Sequence, residues 1–266
     1  MELLYITNDI EVAKNAEISG VDIIFIDLEK KGKMARQGHL DTVISNHSIE
    51  DVERIRKELK SAKLLVRINP LDNESPLEIE QVIKCGADII MLPMFKTAEE
   101  VREFIKLVKG RAEICLLLET SQALCRIDEI LEIPGIHRIH IGLNDLHLSL
   151  GLDFMFECLS SGLVEYMAKK ISKKGIKYGF GGIARMGEGE LPAEKILKEH
   201  ARLGSQMVIL SRTFKRADKD LEVGVREIKL EYEKNLGLTR EELDINKEEV
   251  KKIIEKISYR RRENAL

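Results

Sequence analysis

Forty-three Lys and Arg against 46 Asp and Glu give this 266-residue chain a formal charge of −3, which excludes a general pull toward nucleic acid or an anionic membrane. A hydrophobic fraction of 44% without Trp leaves Leu, Ile and Val to fill a core large enough for one α/β barrel. No window offers the roughly twenty apolar residues of a membrane span. The N-terminal MELLYITNDIEVAKNAE lacks the basic and then apolar order of a signal peptide. Cys85, Cys115, Cys125 and Cys158 show no CxxC spacing and read as small buried hydrophobes in a reducing compartment, so the expected location is the cytoplasm.

Short apolar runs alternate with helical patterns. Leu3-Leu4-Tyr5-Ile6 is the first expected strand, and 22–27 the second, ending on Asp27. The polar stretch 30–48 is too long for a simple turn, and long loops in compact domains are often functional. A helix over 48–60 leads to the third strand, 63–68, which Asn69-Pro70 stops. A helix over 76–84 closes at Gly86, and 89–93 is the fourth strand. Thr97-Ala-Glu-Glu100 is a capping box that opens the next helix. The fifth strand, 114–118, ends on Glu119, and the sixth, 139–142, runs into Asn144-Asp145. Thr120 and Ser121 cap a helix over 122–131 between them. One helix over 154–174, a strand at 178–182, a helix over 192–203 and a strand at 206–211 complete the series.

Continuous apolar runs mark strands buried on both faces, and eight of them in strict alternation with helices specify a (β/α)8 TIM barrel over 1–215. A doubly wound open sheet usually carries fewer strands, and no glycine-rich phosphate fingerprint follows the first one. Residues 216–266 form a charged C-terminal helical extension, with helices over 218–236 and 247–257 and a second capping box at Thr239-Arg-Glu-Glu242. Its apolar positions (Leu221, Val223, Val225, Ile228, Leu230) need a partner, either the barrel or a neighbouring subunit.

Catalytic groups of parallel α/β proteins collect at the C-terminal strand ends. Glu119 and Asp145 stand at two such ends, and two carboxylates with water and substrate oxygens suit a hard divalent cation. The alternative is that each acid only starts a helix, where the macrodipole favours it. Arg67, in an apolar run, needs an anion: a substrate carboxylate, a developing enolate oxygen, or a structural pair with Asp27 or Glu29. The exit of the second strand gathers Asp27, Glu29, Lys33, Arg36, His39 and His47, and Glu29, His39 or His47 is the expected acid/base group. Thr120, Asn144 and Gly182 are expected substrate contacts. Arg185 and Arg212 either hold an anion or face solvent. His137, His140 and His147 flank the sixth strand and are expected to be structural.

Four segments in order carry a likeness: Val66-Arg67-Ile68-Asn69-Pro70; Cys85-Gly86-Ala87-Asp88 through Leu92-Pro93; Leu118-Glu119-Thr120; and Ile141-Gly142 through Asp145-Leu146 with Leu150-Gly151. Together they resemble the HpcH/HpaI aldolase/citrate lyase family. The resemblance implies a barrel that handles pyruvate or acyl-CoA, with Glu119 and Asp145 binding Mg²⁺ or Mn²⁺ and Arg67 steadying an enolate during retro-aldol cleavage. Barrels of that kind often exchange terminal helices between subunits, so a homo-oligomer through the C-terminal helices is expected.

Some positions depart from the pattern. No histidine follows Asp27-Leu28-Glu29 where the aldolase branch has one, and Gly32-Lys33 and Arg36-Gln37 do not continue the citrate-lyase pattern. Met94 stands where the latter branch often has lysine, and Leu117 where the aldolase branch has a polar residue. The expected function is a metal-dependent carbon–carbon lyase acting on a 2-keto acid, with Arg67, Glu29, His39 and His47 as catalytic candidates. The alternatives are citrate-lyase-β-like cleavage of an acyl-CoA thioester, and a barrel that binds a partner without catalysis. No nucleic-acid or membrane partner is expected.

Overall fold

Eight parallel strands pair in sequence order, and the last closes on the first to complete a (β/α)8 barrel. The computed structural model describes residues 1–32, 46–216 and 219–265. The strands are β1 (Glu2–Ile6), β2 (Ile23–Asp27), β3 (Lys63–Arg67), β4 (Ile89–Leu92), β5 (Glu113–Leu118), β6 (Arg138–Ile141), β7 (Lys177–Ile183) and β8 (Met207–Leu210). The first helices among the described residues are α1 (Ile10–Ile18), α2 (Ile49–Glu58), α3 (Ser75–Lys84), α4 (Ala98–Val108), α5 (Ser121–Cys125) and α6 (Ile127–Leu131). Then come α7 (Leu143–Ser149), α8 (Glu157–Ser160), α9 (Leu163–Lys173), α10 (Ala193–Leu203), α11 (Leu221–Leu236) and α12 (Arg240–Ala265).

The two-residue period of each strand sorts its side chains between two cores. Leu4, Phe25, Leu65, Met91, Cys115, Leu117 and Met207 fill the barrel interior. Their neighbours Leu3, Ile24, Ile26, Leu64, Val66, Ile90, Leu116 and Ile139 pack outward against the helices. The N-terminal end of the interior is sealed by a chain of ion pairs. Lys63 meets Glu113, Glu113 meets Arg138 at 2.7 Å, Arg138 meets Glu2, and Glu2 meets Lys177 at 2.8 Å.

Several elements differ from their sequence-based bounds for local reasons. The helix expected over 122–131 is two, α5 and α6, broken where Arg126 leaves helical geometry at φ −106° and ψ 16°. The helix expected over 154–174 is also two, because Gly162 lies between them at φ +85°. A short helix, α7, begins directly after β6, so Asp145 sits in a first helical turn. The final helix starts at the Thr239 capping box and runs through to Ala265, well past the apolar pattern.

The extension packs one face on its own barrel. Leu221, Val225 and Ile228 are buried, whereas Val223 and Leu230 remain exposed. Val250, Ile254 and Ile257 bury the inner face of α12. Arg202 bonds Glu199 at 2.7 Å and Glu165 at 2.9 Å beneath that helix, while Asn246 of α12 donates to Glu199 at 3.0 Å. Among the described residues no helix is long and apolar enough to cross a membrane.

Candidate active site

The C-terminal strand ends surround a cavity of about 380 Å³. Its floor is the top of the barrel interior: Ile6, Phe25, Met91, Leu117 and Ile209. Arg67, Glu119, Asn144, Asp145 and Gly182 border it, so the sequence-based metal pair and three of the expected substrate contacts converge here.

Register brings Arg67 to its acids. Asp27 and Arg67 are partners across β2 and β3. Arg67 Nε and Nη2 donate to the two carboxylate oxygens of Asp27, each at 2.8 Å, and Nη1 lies 3.2 Å from Glu29 Oε2. Burial alone would lower the guanidinium, but the charges of Asp27 and Glu29 outweigh it, and Arg67 is held firmly protonated. Three of its five N–H groups are thereby used, which leaves two for a ligand. The structural pair and the exposure to the cavity coexist in one side chain.

Glu119 follows β5 and is 2% exposed. Its Oε1 accepts the Met94 N–H at 3.1 Å, and Met94 reaches that position in the left-handed region at φ +56°. A non-glycine residue there costs roughly 1–3 kcal/mol, a strain stored beside Glu119. Opposite, Gly142 makes room for the carboxylate: a Cβ at that position would stand 2.8 Å from Glu119 Oε2. Burial raises the Glu119 carboxyl well above its ordinary value, and the nearby Asp145 charge raises it further against the pull of Arg67.

Donor chemistry tests whether these residues fit a cation. Glu119 and Asp145 are buried within electrostatic reach of each other, beside Arg67, which pairs with Asp27 and Glu29, and with Arg212 and Lys215 on the rim. Two buried carboxylates, with the charge of Asp145 opposing the ionisation of Glu119, are a donor set that a hard divalent ion satisfies. Among the described residues no three His, Cys, Asp or Glu side chains form a metal-binding group. Glu119 and Asp145 would therefore act as a pair, with the remaining positions left to water and ligand oxygens.

Other expected positions stand apart from the cavity. Glu29 is 1% exposed and faces Arg67 from behind. His47 accepts the Asp27 N–H on Nδ1 at 3.0 Å and borders a separate cleft between the exits of β2 and β3. Thr120 caps α5: its hydroxyl accepts the Ala123 N–H at 3.1 Å and donates to the Phe95 carbonyl at 2.8 Å. Arg185 is buried, and its guanidinium bonds the carbonyls of Thr213 and Asp220, so it ties the exit of β8 to α11. His39 lies outside the described residues.

His140 was expected to pack away from the site, yet it borders the cavity. The strand period was the available signal, since Arg138, His140 and Gly142 share the inward face of β6. Its Nε2 meets the Gly181 carbonyl at 2.9 Å, and burial pushes the imidazole down to about 4, so it stays neutral. The carbonyl is presented by a bulge in β7 where Gly181 takes φ +57°, and a Cβ there would stand 2.9 Å from Leu143. Arg212 and Lys215, after β8, stand on the rim.

Comparisons with known proteins bear on the family and the fold. The 2-keto-3-deoxy-L-rhamnonate aldolases of Escherichia coli strains K12 and O9:H4 (strain HS) are 32% identical across 32% of this chain and 42% of their own length. The chain thus matches less than half the length of these relatives. The crystal structure of an HpcH/HpaI aldolase from Desulfitobacterium hafniense DCB-2 superposes with a TM-score of 0.62 at 16% identity, covering 86% of this chain and 92% of that one, a likeness of fold. The HpcH/HpaI aldolase/citrate lyase family model matches residues 3–157, which contain Arg67, Glu119 and Asp145. The chain belongs to the HpcH/HpaI aldolase/citrate lyase family.

Proposed function

We propose that this protein is a metal-dependent carbon–carbon lyase of the aldolase type that forms or uses the enolate of a 2-keto acid. The observation that carries the reading is the buried pair Glu119 and Asp145 facing Arg67 across one cavity. Mg²⁺ or Mn²⁺ held by the two carboxylates would supply Lewis acidity toward the keto and carboxylate oxygens of the substrate. Arg67 offers its two remaining N–H groups to the oxygen on which charge develops, and Asp27 and Glu29 fix the guanidinium so that little reorganisation is needed. Leu117, Met91 and Phe25 exclude water from beneath the reacting atoms, which strengthens those electrostatic contacts. His140 is too weak a base at about 4 to carry the proton, and it accepts or donates hydrogen bonds at the wall. A cavity of about 380 Å³ suits a small keto acid, whereas an acyl-CoA would need a groove for its nucleotide beyond it.

The test is exchange of the pyruvate methyl protons for deuterium, followed by proton NMR. Exchange should require Mg²⁺ or Mn²⁺, stop with EDTA, and fall at least 100-fold in Glu119→Gln and Asp145→Asn. Metal-independent exchange, or full exchange in both variants, would overturn the assignment.

A further inference from the structure

The segment between α7 and α8 sends one side chain into the cavity, Met155. Phe154 and Phe156 on either side of it are buried at 2% and 4% exposure and meet edge to face at 5.4 Å. Glu157 accepts the N–H groups of Asp153 and Phe154 at 2.9 and 2.8 Å, so the turn is closed from below. From above, the last turns of α12 hold it. The Arg261 guanidinium lies 4.6 Å from the Phe154 ring centroid and donates to the Asp153 carbonyl at 3.4 Å. Arg261 also meets Glu190, from the loop after β7, at 2.5 Å, and Arg262 meets the Asp153 carboxylate at 3.0 Å.

These exposed ion pairs are individually weak. Their value lies in convergence, because three contacts from one helical turn reach a segment only a few residues long and a fourth ties the same turn to the loop after β7. Met155 lines the cavity with the apolar side chains of Leu143, Ile209 and Leu210, none of which can donate a hydrogen bond, while Asn144, Ser211, Arg212 and Lys215 line it too. A hydroxyl group laid against those apolar side chains would lose its water without compensation from them, whereas an aliphatic chain would not.

The geometry points to Met155 as the residue that limits the length of an aliphatic aldehyde acceptor, with Arg261 and Arg262 as positioning residues that hold it there. The inference rests on the aldolase reading. In the addition, C3 of the pyruvate enolate bonds to the aldehyde carbon and the carbonyl oxygen takes up a proton, so chain length is read without changing the donor.

The experiment measures kcat/KM for pyruvate addition to ethanal, butanal and hexanal with the full-length protein and Mg²⁺. Met155→Ala should raise the hexanal-to-ethanal ratio at least tenfold, and Met155→Phe should lower it. The Arg261→Ala/Arg262→Ala double variant should shift the ratio toward hexanal at least threefold, and lysine at both positions should restore it. Ratios unchanged in all the variants would overturn the inference, as would a wild-type protein that exchanges the methyl protons of pyruvate yet adds no alkanal. Failure of the underlying reading would show separately, as absent metal-dependent exchange in the wild-type protein.

Discussion

Gly142→Ala is the sharpest test of how Glu119 is held. Gly142 has φ −82° and ψ 86°, so alanine meets no left-handed strain and the effect is steric alone. The new Cβ would stand 2.8 Å from Glu119 Oε2, 2.9 Å from Glu119 Cβ and 3.2 Å from Leu117 Cδ1. Glu119 has little freedom to retreat, because its Oε1 is tied to the Met94 N–H and the residue is 2% exposed. Overpacking of this kind costs about 1–3 kcal/mol, which lowers Tm by roughly 3–10 °C in a chain of this size. Displacement of one of the two proposed carboxylate ligands should also weaken Mn²⁺ binding at least tenfold, about 1.4 kcal/mol. Thermal unfolding and calorimetric Mn²⁺ titration read the two effects separately. A variant that melts within 1 °C of wild type would refute the packing argument. One that melts early but binds Mn²⁺ unchanged would refute the ligand role of Glu119.

Two further outcomes follow from buried charge. Asp27→Ala leaves Arg67 with Glu29 as its remaining ion-pair partner and should cost about 3 kcal/mol in urea unfolding; a loss below 1 kcal/mol would mean that the pair is solvated. Burial lowers His140 from 6.5 to about 4 and His200 from 6.5 to about 3, so in that window the unfolded chain binds protons that the folded chain does not. The contribution of the histidines therefore falls as pH falls through 6.5, by up to ~1.4 kcal/mol per pH unit for each, while Glu119, with its raised carboxyl, contributes with the opposite sign. Glu165, held down from 4.5 to about 2, contributes its own loss only toward the acid end. His200→Phe, which keeps the stack on Phe180, should fall more gently than wild type between pH 6.5 and 5 in urea titrations; equal slopes would refute the assignment.

Local sequence determined the alternation of strands and helices, and with it the barrel. Apolar runs such as Ile114 to Leu118 and punctuation such as Gly86 and Thr97 act over a few residues, so their signals survive without tertiary context. The same locality placed Arg67, Glu119 and Asp145 at strand ends, because a polar residue that interrupts an apolar run marks where a strand leaves the core. Tertiary structure decided everything that depends on which neighbour a side chain meets. Strand register set Asp27 opposite Arg67 and turned His140 inward, and a one-residue slip would reverse either face. The hydroxyl of Thr120 went to a cap and His47 to a backbone N–H, although their residue types suited a site equally well. Met155 gave no signal in its own segment, since the arginines that hold it lie more than a hundred residues away. Pairings over that separation are settled by the closing of the barrel, which no local pattern encodes.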